Sequence, residues 1–166
     1  MNFTRRTAQL LHQDHQATIE IIEALDQMIA RARKTPPDVN DPKIQATLKR
    51  AASAIKDEVS NHFTFEETEL FTRLEDLGDV GIAAHLREEH SALLPLGTQV
   101  ADRAAQALTD GFTPDQWRDF HSLAGELIER MFAHIQKEEM ALLPMLEELL
   151  DDETDLELST RYGEGH

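Results

Sequence analysis

The stretch HFTFEE at residues 62–67 recurs in outline as HIQKEE at residues 134–139, and both read H-x-x-x-E-E. A His and a Glu four positions apart lie on one face of a helix, about one turn from each other. Their imidazole nitrogen and carboxylate oxygen can therefore bind one transition-metal ion. An apolar pair follows each stretch three residues later: Leu70-Phe71 after the first and Leu142-Leu143 after the second.

The composition favours helices and limits the possible functions. The chain has 166 residues, no cysteine and a formal net charge of −16. Its length is typical of one domain, and the lack of cysteine excludes disulfides and thiolate metal sites and suits a reducing cytoplasm. The negative charge disfavours nucleic acid and anionic membranes as partners. No segment has the apolar length of a signal peptide or a membrane span. We expect a cytoplasmic protein.

Proline, glycine and capping residues divide the chain into helical segments. Asp41-Pro42 and Thr113-Pro114 each predict an N-cap followed by proline, and Gly78 and Gly111 predict helix ends. Short connections between long helices predict an all-α, up-down-up-down antiparallel four-helix bundle over residues 1–150. Residues 151–166 form an acidic C-terminal tail that is either a short helix near Leu156 or disordered. The four predicted helices span residues 4–33, 42–77, 80–109 and 114–150.

Six polar residues interrupt the apolar faces of these helices, all at one level of the bundle. A core excludes imidazole and carboxylate groups unless a partner or a metal compensates them. We counted the residues from each loop to the polar residues on the two helices that it joins. At a rise of 1.5 Å per residue, the six residues then lie within roughly 0–10 Å of one another along the bundle axis. They are His15 on the first helix, His62 and Glu66 on the second, His90 on the third, and His134 and Glu138 on the fourth.

The two halves of the chain repeat this pattern. Leu11 to His15 resembles Leu86 to His90, with an acid directly before the His in each case. Each half then supplies one H-x-x-x-E pair. The repeat selects His90 rather than the nearby His85 as the counterpart of His15 and predicts a pseudo-twofold site. His85 stays open as an extra ligand or as a hydrogen-bond partner of a ligand.

Four imidazoles and two carboxylates exceed the four ligands of a structural zinc site and suit two metal ions. If both carboxylates and an oxo or hydroxo group bridge, each ion has about five ligands, and near-octahedral iron keeps a position open. Two non-haem iron ions are therefore the expected cofactor, with zinc or manganese as the alternative. Ferritin-like bundles use Glu-x-x-His instead, and no His in this chain has a Glu three residues before it.

The order His, H-x-x-x-E, His, H-x-x-x-E resembles the hemerythrin-like HHE cation-binding domain over about residues 8–150. The resemblance implies a di-iron centre in a four-helix bundle, with the six residues named above as ligands. Oxygen-carrying members have a fifth His four residues after the third-helix ligand and an Asp five residues after the last His. Leu94 and Glu139 occupy those positions here. The resemblance thus favours the broader HHE group, whose members are proposed to sense or handle oxygen, nitric oxide, peroxide or iron.

Three functions follow as alternatives. The favoured one is a module that binds or senses O2, NO or redox state, with a small diatomic molecule or peroxide as its partner. The others are a di-iron oxidoreductase that consumes peroxide or NO, and a metal-handling bundle without a redox role. An enzyme needs a proton donor, and the one tyrosine, Tyr162, falls in the tail.

The remaining polar and aromatic residues have simpler interpretations. Glu67 and Glu139 are expected to be solvated helix charges, and His12 is expected on a solvated face. His121 and His166 are expected to be structural or exposed. The core or pocket wall is predicted to include Phe63, Phe65, Phe71 and Phe132.

Overall fold

The computed structural model describes residues 2–32 and 34–164, except for the side chains of Glu58 and Val59. The predicted end of the first helix at residue 33 and the prediction for His166 lie outside these residues. The described residues form helices and no strand, which confirms the predicted all-α bundle. The helices are α1 (Arg6–Arg31), α2 (residues 42–76), α3 (Val80–Asp110), α4 (residues 114–149) and α5 (Asp152–Glu164).

The first four helices enclose two apolar clusters with the polar level between them. Helix α1 packs against α2 and α4, and α3 packs against the same two helices. One cluster includes Leu25, Leu48, Val100 and Trp117. The other includes Leu11, Leu70, Leu86 and Leu142. The six polar residues named above occur along their helices between the members of these clusters, so apolar packing on both sides fixes their level.

The predicted helix boundaries have the expected local chemistry. Thr113 Oγ1 accepts a hydrogen bond from the Gln116 N–H at 3.1 Å, and the Gln116 side chain accepts one from the Thr113 N–H at 3.0 Å. This is a capping box, with proline at the next position. Asp41 accepts a hydrogen bond from the Lys43 N–H at 2.9 Å. Gly111, which follows α3, has a φ of +73°, a conformation that glycine adopts without strain.

A π-type turn begins at the glutamate of the H-x-x-x-E pair in both α2 and α4. These turns span Glu66–Leu70 and Glu138–Leu142, and a third such turn, Glu58–His62, ends at the α2 histidine. The Phe71 N–H donates to the Glu66 carbonyl, five residues back along the chain, and the Leu143 N–H donates likewise to Glu138. Each π-type turn has one residue more than an α-helical turn, and this extra residue lets two consecutive side chains face the core. The turns therefore explain the apolar pairs, whose four members are all fully buried: Leu70, Phe71, Leu142 and Leu143.

Within the predicted C-terminal tail, residues 152–164 form the helix α5. Helix α5 packs against α1 and buries Leu158 and Tyr162. Asp155 accepts hydrogen bonds from the backbone N–H groups of Arg6 and Thr7 at 2.8 and 2.9 Å. It thereby satisfies donors at the start of α1 that have no partner within that helix. Every helix in the described ranges is too short or too polar to cross a lipid bilayer.

Candidate metal centre

The structure brings all six predicted site residues together at the centre of the bundle. None of them is more than 2% exposed. Their ligand atoms form two compact groups that share Glu138. The first group contains Glu66, His90, His134 and Glu138, and the second contains His15, His62 and Glu138.

Each carboxylate lies between imidazoles from both halves of the chain. Glu138 Oε1 is 3.0 Å from His15 Nε2 and 3.4 Å from His134 Nε2. Glu66 Oε1 is 3.0 Å from His62 Nε2 and 3.5 Å from His90 Nε2. This crossed arrangement has the pseudo-twofold symmetry that the sequence repeat predicts, and Glu138 belongs to both groups of ligand atoms.

The surroundings of the Glu66 and Glu138 carboxylates show whether this site suits a cation. The Oε2 atoms of Glu66 and Glu138 are buried and have no hydrogen-bond partner among the described residues, and Glu66 Oε1 has imidazole nitrogens near it. A buried carboxylate without partners is costly, and a cation compensates that cost. Imidazole nitrogen and carboxylate oxygen are ligands for iron, zinc and manganese, so the donor set fits such an ion.

The pKa values of the two buried carboxylates and of His15 are shifted by burial and by their mutual contacts. Burial opposes ionisation of Glu66, but the charge of His62 lowers the pKa of its carboxyl well below the ordinary value. Burial and the negative charge of Glu66 together raise the pKa of Glu138. Burial alone would lower the pKa of His15, but its hydrogen bonds to Glu138 and Glu139 outweigh burial and raise the pKa to about 9. Protons therefore compete with a metal for these ligands.

The Nδ1 atoms of the imidazoles, which face away from the centre, also contact acids. Glu89 Oε1 lies 2.8 Å from His134 Nδ1 on the side opposite the centre. Asp14 Oδ2 lies 3.6 Å from His62 Nδ1. Glu89 directly precedes His90 and Asp14 directly precedes His15, so the acid-His repeat in the sequence was a usable signal. The Glu89 contact is of hydrogen-bond length, and such a contact fixes the tautomer and orientation of a metal-binding imidazole.

The second glutamate of each H-x-x-x-E-E stretch has the same role. Glu67 Oε1 is 3.2 Å from His90 Nδ1, and Glu139 Oε2 is 3.5 Å from His15 Nδ1. The prediction that these glutamates are solvated charges is therefore wrong. Their side chains lie one helical position beyond the ligand face, which directs them to the far side of a histidine on a neighbouring helix. His12, expected on a solvated face, also contacts Glu139.

Sequence reasoning missed Tyr162 as a residue of the site. Its side chain is buried, and its Oη atom lies 3.0 Å from His62 Nδ1. The Tyr162 ring also contacts Phe65, with the ring centroids 4.7 Å apart. The usable signal was the four-residue spacing of Leu158 and Tyr162, which is typical of the apolar face of a helix.

Aromatic rings close the site on the α2–α3 side. The Phe63 ring stacks on His90 with 3.8 Å between centroids, and Phe71 lies 5.3 Å from the same ring. Phe132, in contrast, is 43% exposed, so its prediction as core or pocket wall is wrong. Leu94, at the position of the fifth histidine in oxygen carriers, is half exposed.

Two other histidines lie outside the group of six. His85 is largely exposed, and its Nε2 atom is 3.0 Å from Lys137 Nζ and 3.4 Å from Glu89 Oε2. It therefore contacts the partner of His134 rather than the central groups. His121 Nε2 donates a hydrogen bond to the Ile29 carbonyl at 3.0 Å, a structural role as expected.

In a comparison with known protein families, residues 6–146 match the hemerythrin HHE cation binding domain. No curated protein matches the chain. The matched region contains all six central residues and most of the chain. The protein therefore belongs to the family of hemerythrin HHE cation binding domains.

Proposed function

We propose that the protein binds two iron ions at this centre and uses them to bind or sense a small molecule such as O2 or NO, or a change of redox state. The observation that supports the proposal best is the position of each carboxylate between imidazoles of both halves. The residues that would hold the ions are His15 and His62 for one, His90 and His134 for the other, and Glu66 and Glu138 for both.

The ligand types favour iron over the alternatives. Two imidazoles with a carboxylate and open positions are the ligand set of non-haem iron that reacts with O2. A zinc site of structural type would need only four ligands, and it would leave part of this set unused. When bound, iron supplies exchangeable electrons and an open position for a diatomic ligand. Leu94, whose side chain has no metal-binding atom, stands where the resemblance to oxygen carriers would place a fifth histidine.

The surrounding residues favour binding or sensing over turnover. Phe63 and Phe71 exclude bulk water from the His90 side. The acids Glu67 and Glu89 contact imidazoles at Nδ1, on the far side of each ring from the centre. A peroxide- or NO-consuming oxidoreductase, the alternative, needs a proton delivered on the near side. The outer acids serve instead to hold the rings.

Metal analysis with anaerobic and aerobic spectra tests the proposal. Protein from iron-replete cells should contain about two irons per chain and should absorb in the near ultraviolet. This absorption should change on reduction and again on exposure to air or NO. His62→Ala and Glu66→Ala should lose iron, whereas His121→Gln, outside the site, should keep it. A colourless protein without iron would contradict the proposal, and zinc or manganese in its place would favour the metal-handling alternative.

Turnover assays separate the sensor from the enzyme. A sensor should return to its starting spectrum when NO or O2 is removed, without consuming it. Multiple turnovers of peroxide or NO that disappear in folded His62→Ala protein would favour the oxidoreductase.

A further inference from the structure

His62 and its counterpart His134 have different kinds of residue within hydrogen-bond distance of Nδ1. His134 Nδ1 has the carboxylate of Glu89 at 2.8 Å. Its counterpart, His62 Nδ1, has Asp14 at 3.6 Å, beyond ordinary hydrogen-bond length, and the hydroxyl of Tyr162 at 3.0 Å. A phenol from a fifth helix thus takes the position that a carboxylate of the bundle takes in the other half.

Helix α5 depends on its docking contacts for its structure. It has 13 residues, and isolated helices of this length are marginal in water. Its buried apolar side chains are Leu158 and Tyr162. Asp155 holds the start of α1, and Arg161 Nη1 pairs with Glu69 on α2 at 3.0 Å. Tyr162 contributes to docking and contacts a residue of the metal centre, so it links the two.

We propose, on the basis of the metal centre proposed above, that Tyr162 is a positioning residue for His62 which couples metal binding at the His15–His62 position to the docking of α5. An imidazole that binds a metal through Nε2 carries its proton on Nδ1, so the His62 N–H donates to Tyr162 Oη. Without a metal, the Glu66 carboxylate, whose Oε1 atom is 3.0 Å from Nε2, attracts the ring proton to that nitrogen. A metal at Nε2 displaces that proton to Nδ1, so His62 donates to Tyr162 more of the time in the metal-bound protein than in the metal-free protein.

Thermodynamic linkage makes this coupling reciprocal. If metal strengthens α5 docking by some factor, docked α5 strengthens metal binding by the same factor. The coupling also gives a sensing centre an output, because a surface helix then reports the state of a buried site.

Hydrogen–deuterium exchange of the peptide covering residues 152–164 tests the coupling. The experiment compares metal-free full-length protein with protein loaded anaerobically with Fe²⁺. Metal should slow exchange in α5 by about 5- to 150-fold, the usual range of such couplings. Tyr162→Phe removes only the hydroxyl and should abolish most of this difference. Fe²⁺ titration of this variant should show one of the two ions bound about 10- to 100-fold more weakly.

Two further variants separate coupling from docking. Leu158→Ala weakens docking but keeps the hydroxyl, so α5 should exchange faster in both states while the effect of metal remains. Glu89→Gln should weaken the other ion and leave the effect of metal on α5 unchanged. Tyr162→Phe protein with wild-type affinities and wild-type metal-dependent protection would overturn the role of Tyr162 alone. Wild-type protein that binds no Fe²⁺ would overturn the metal centre and this inference with it.

Discussion

Glu67 Oε1 lies 3.2 Å from Nδ1 of His90, on the side of the ring opposite the centre. The preceding residue, Glu66, has its Oε1 atom 3.5 Å from Nε2 of the same ring. Two consecutive glutamates of α2 thus contact both nitrogens of one histidine on α3. The same relationship joins Glu138 and Glu139 to His15. The H-x-x-x-E-E pattern therefore supplies two glutamates that contact both nitrogens of a histidine on a neighbouring helix, in addition to a His-Glu ligand pair.

Replacing Glu67 by glutamine should weaken metal binding without unfolding the protein. The amide keeps the shape but loses the charge that orients His90, and loss of such a partner costs about 10- to 100-fold in metal affinity. Competition with a chelator measures the change. Glu88→Gln on the exposed face of α3 is the matched control and should bind metal like the wild type. Equal affinities for both variants would show that the Glu67 contact is incidental.

The difference in stability between metal-loaded and metal-free protein should grow with pH. The pKa of His15 is raised to about 9 in the folded metal-free protein, above its ordinary value of 6.5. Its contribution to stability is therefore complete below pH 6.5 and is lost as the pH rises through 9. The raised pKa of His90, where hydrogen bonding to Glu66 outweighs burial, acts in the same direction. In metal-loaded protein both rings are neutral ligands and lack this dependence.

Thermal unfolding between pH 6.5 and 9 checks this prediction. The Tm of the metal-free protein should fall across this range while the Tm of the loaded protein changes less. If the Tm values of the metal-free and metal-loaded proteins change with pH in parallel, folding does not raise the pKa of His15 as its contacts require.

Truncation of Phe71 should be far more costly than truncation of Phe132. Phe71 is fully buried at the end of a π-type turn, and Phe→Ala at such a core position costs about 3–5 kcal/mol. Phe132 is 43% exposed, so Phe132→Ala should cost roughly 1 kcal/mol or less. Urea unfolding of both variants measures the difference. Comparable losses would place Phe132 in the core, against its observed exposure.

Asp155→Asn should destabilise the contact between α5 and the start of α1. The two carboxylate oxygens accept the N–H groups of Arg6 and Thr7, and asparagine has only one oxygen, so one of these hydrogen bonds is lost at a cost of about 0.5–1.5 kcal/mol. The free energy of unfolding and the exchange rate of α5 amides should both report the loss. Asp152→Asn is the control, because its fully exposed side chain makes only a surface ion pair with Arg5. A loss of the same size for Asp152→Asn would contradict the assigned role of Asp155.

The local rules of helix formation explain how much of the fold was predictable. Caps, prolines and glycines such as Thr113 and Gly111 act within a few residues, so the four bundle helices could be located from the chain alone. The level of the six polar residues followed from helix rise and connection length. The π-type turns were not predicted, although the apolar pairs that they bury, such as Leu70 and Phe71, were visible.

The sequence by itself determined the helices and the set of residues that meet at the centre, because a four-residue spacing fixes a face of a helix whatever packs against it. Only the tertiary structure decided which groups hold the far nitrogens of those histidines. Glu67 reaches His90, and Tyr162 reaches His62, across helix interfaces, and these contacts depend on the rotation of each helix about its axis. That rotation is set by packing of whole apolar faces, including the docking of α5, and no short stretch of sequence encodes it.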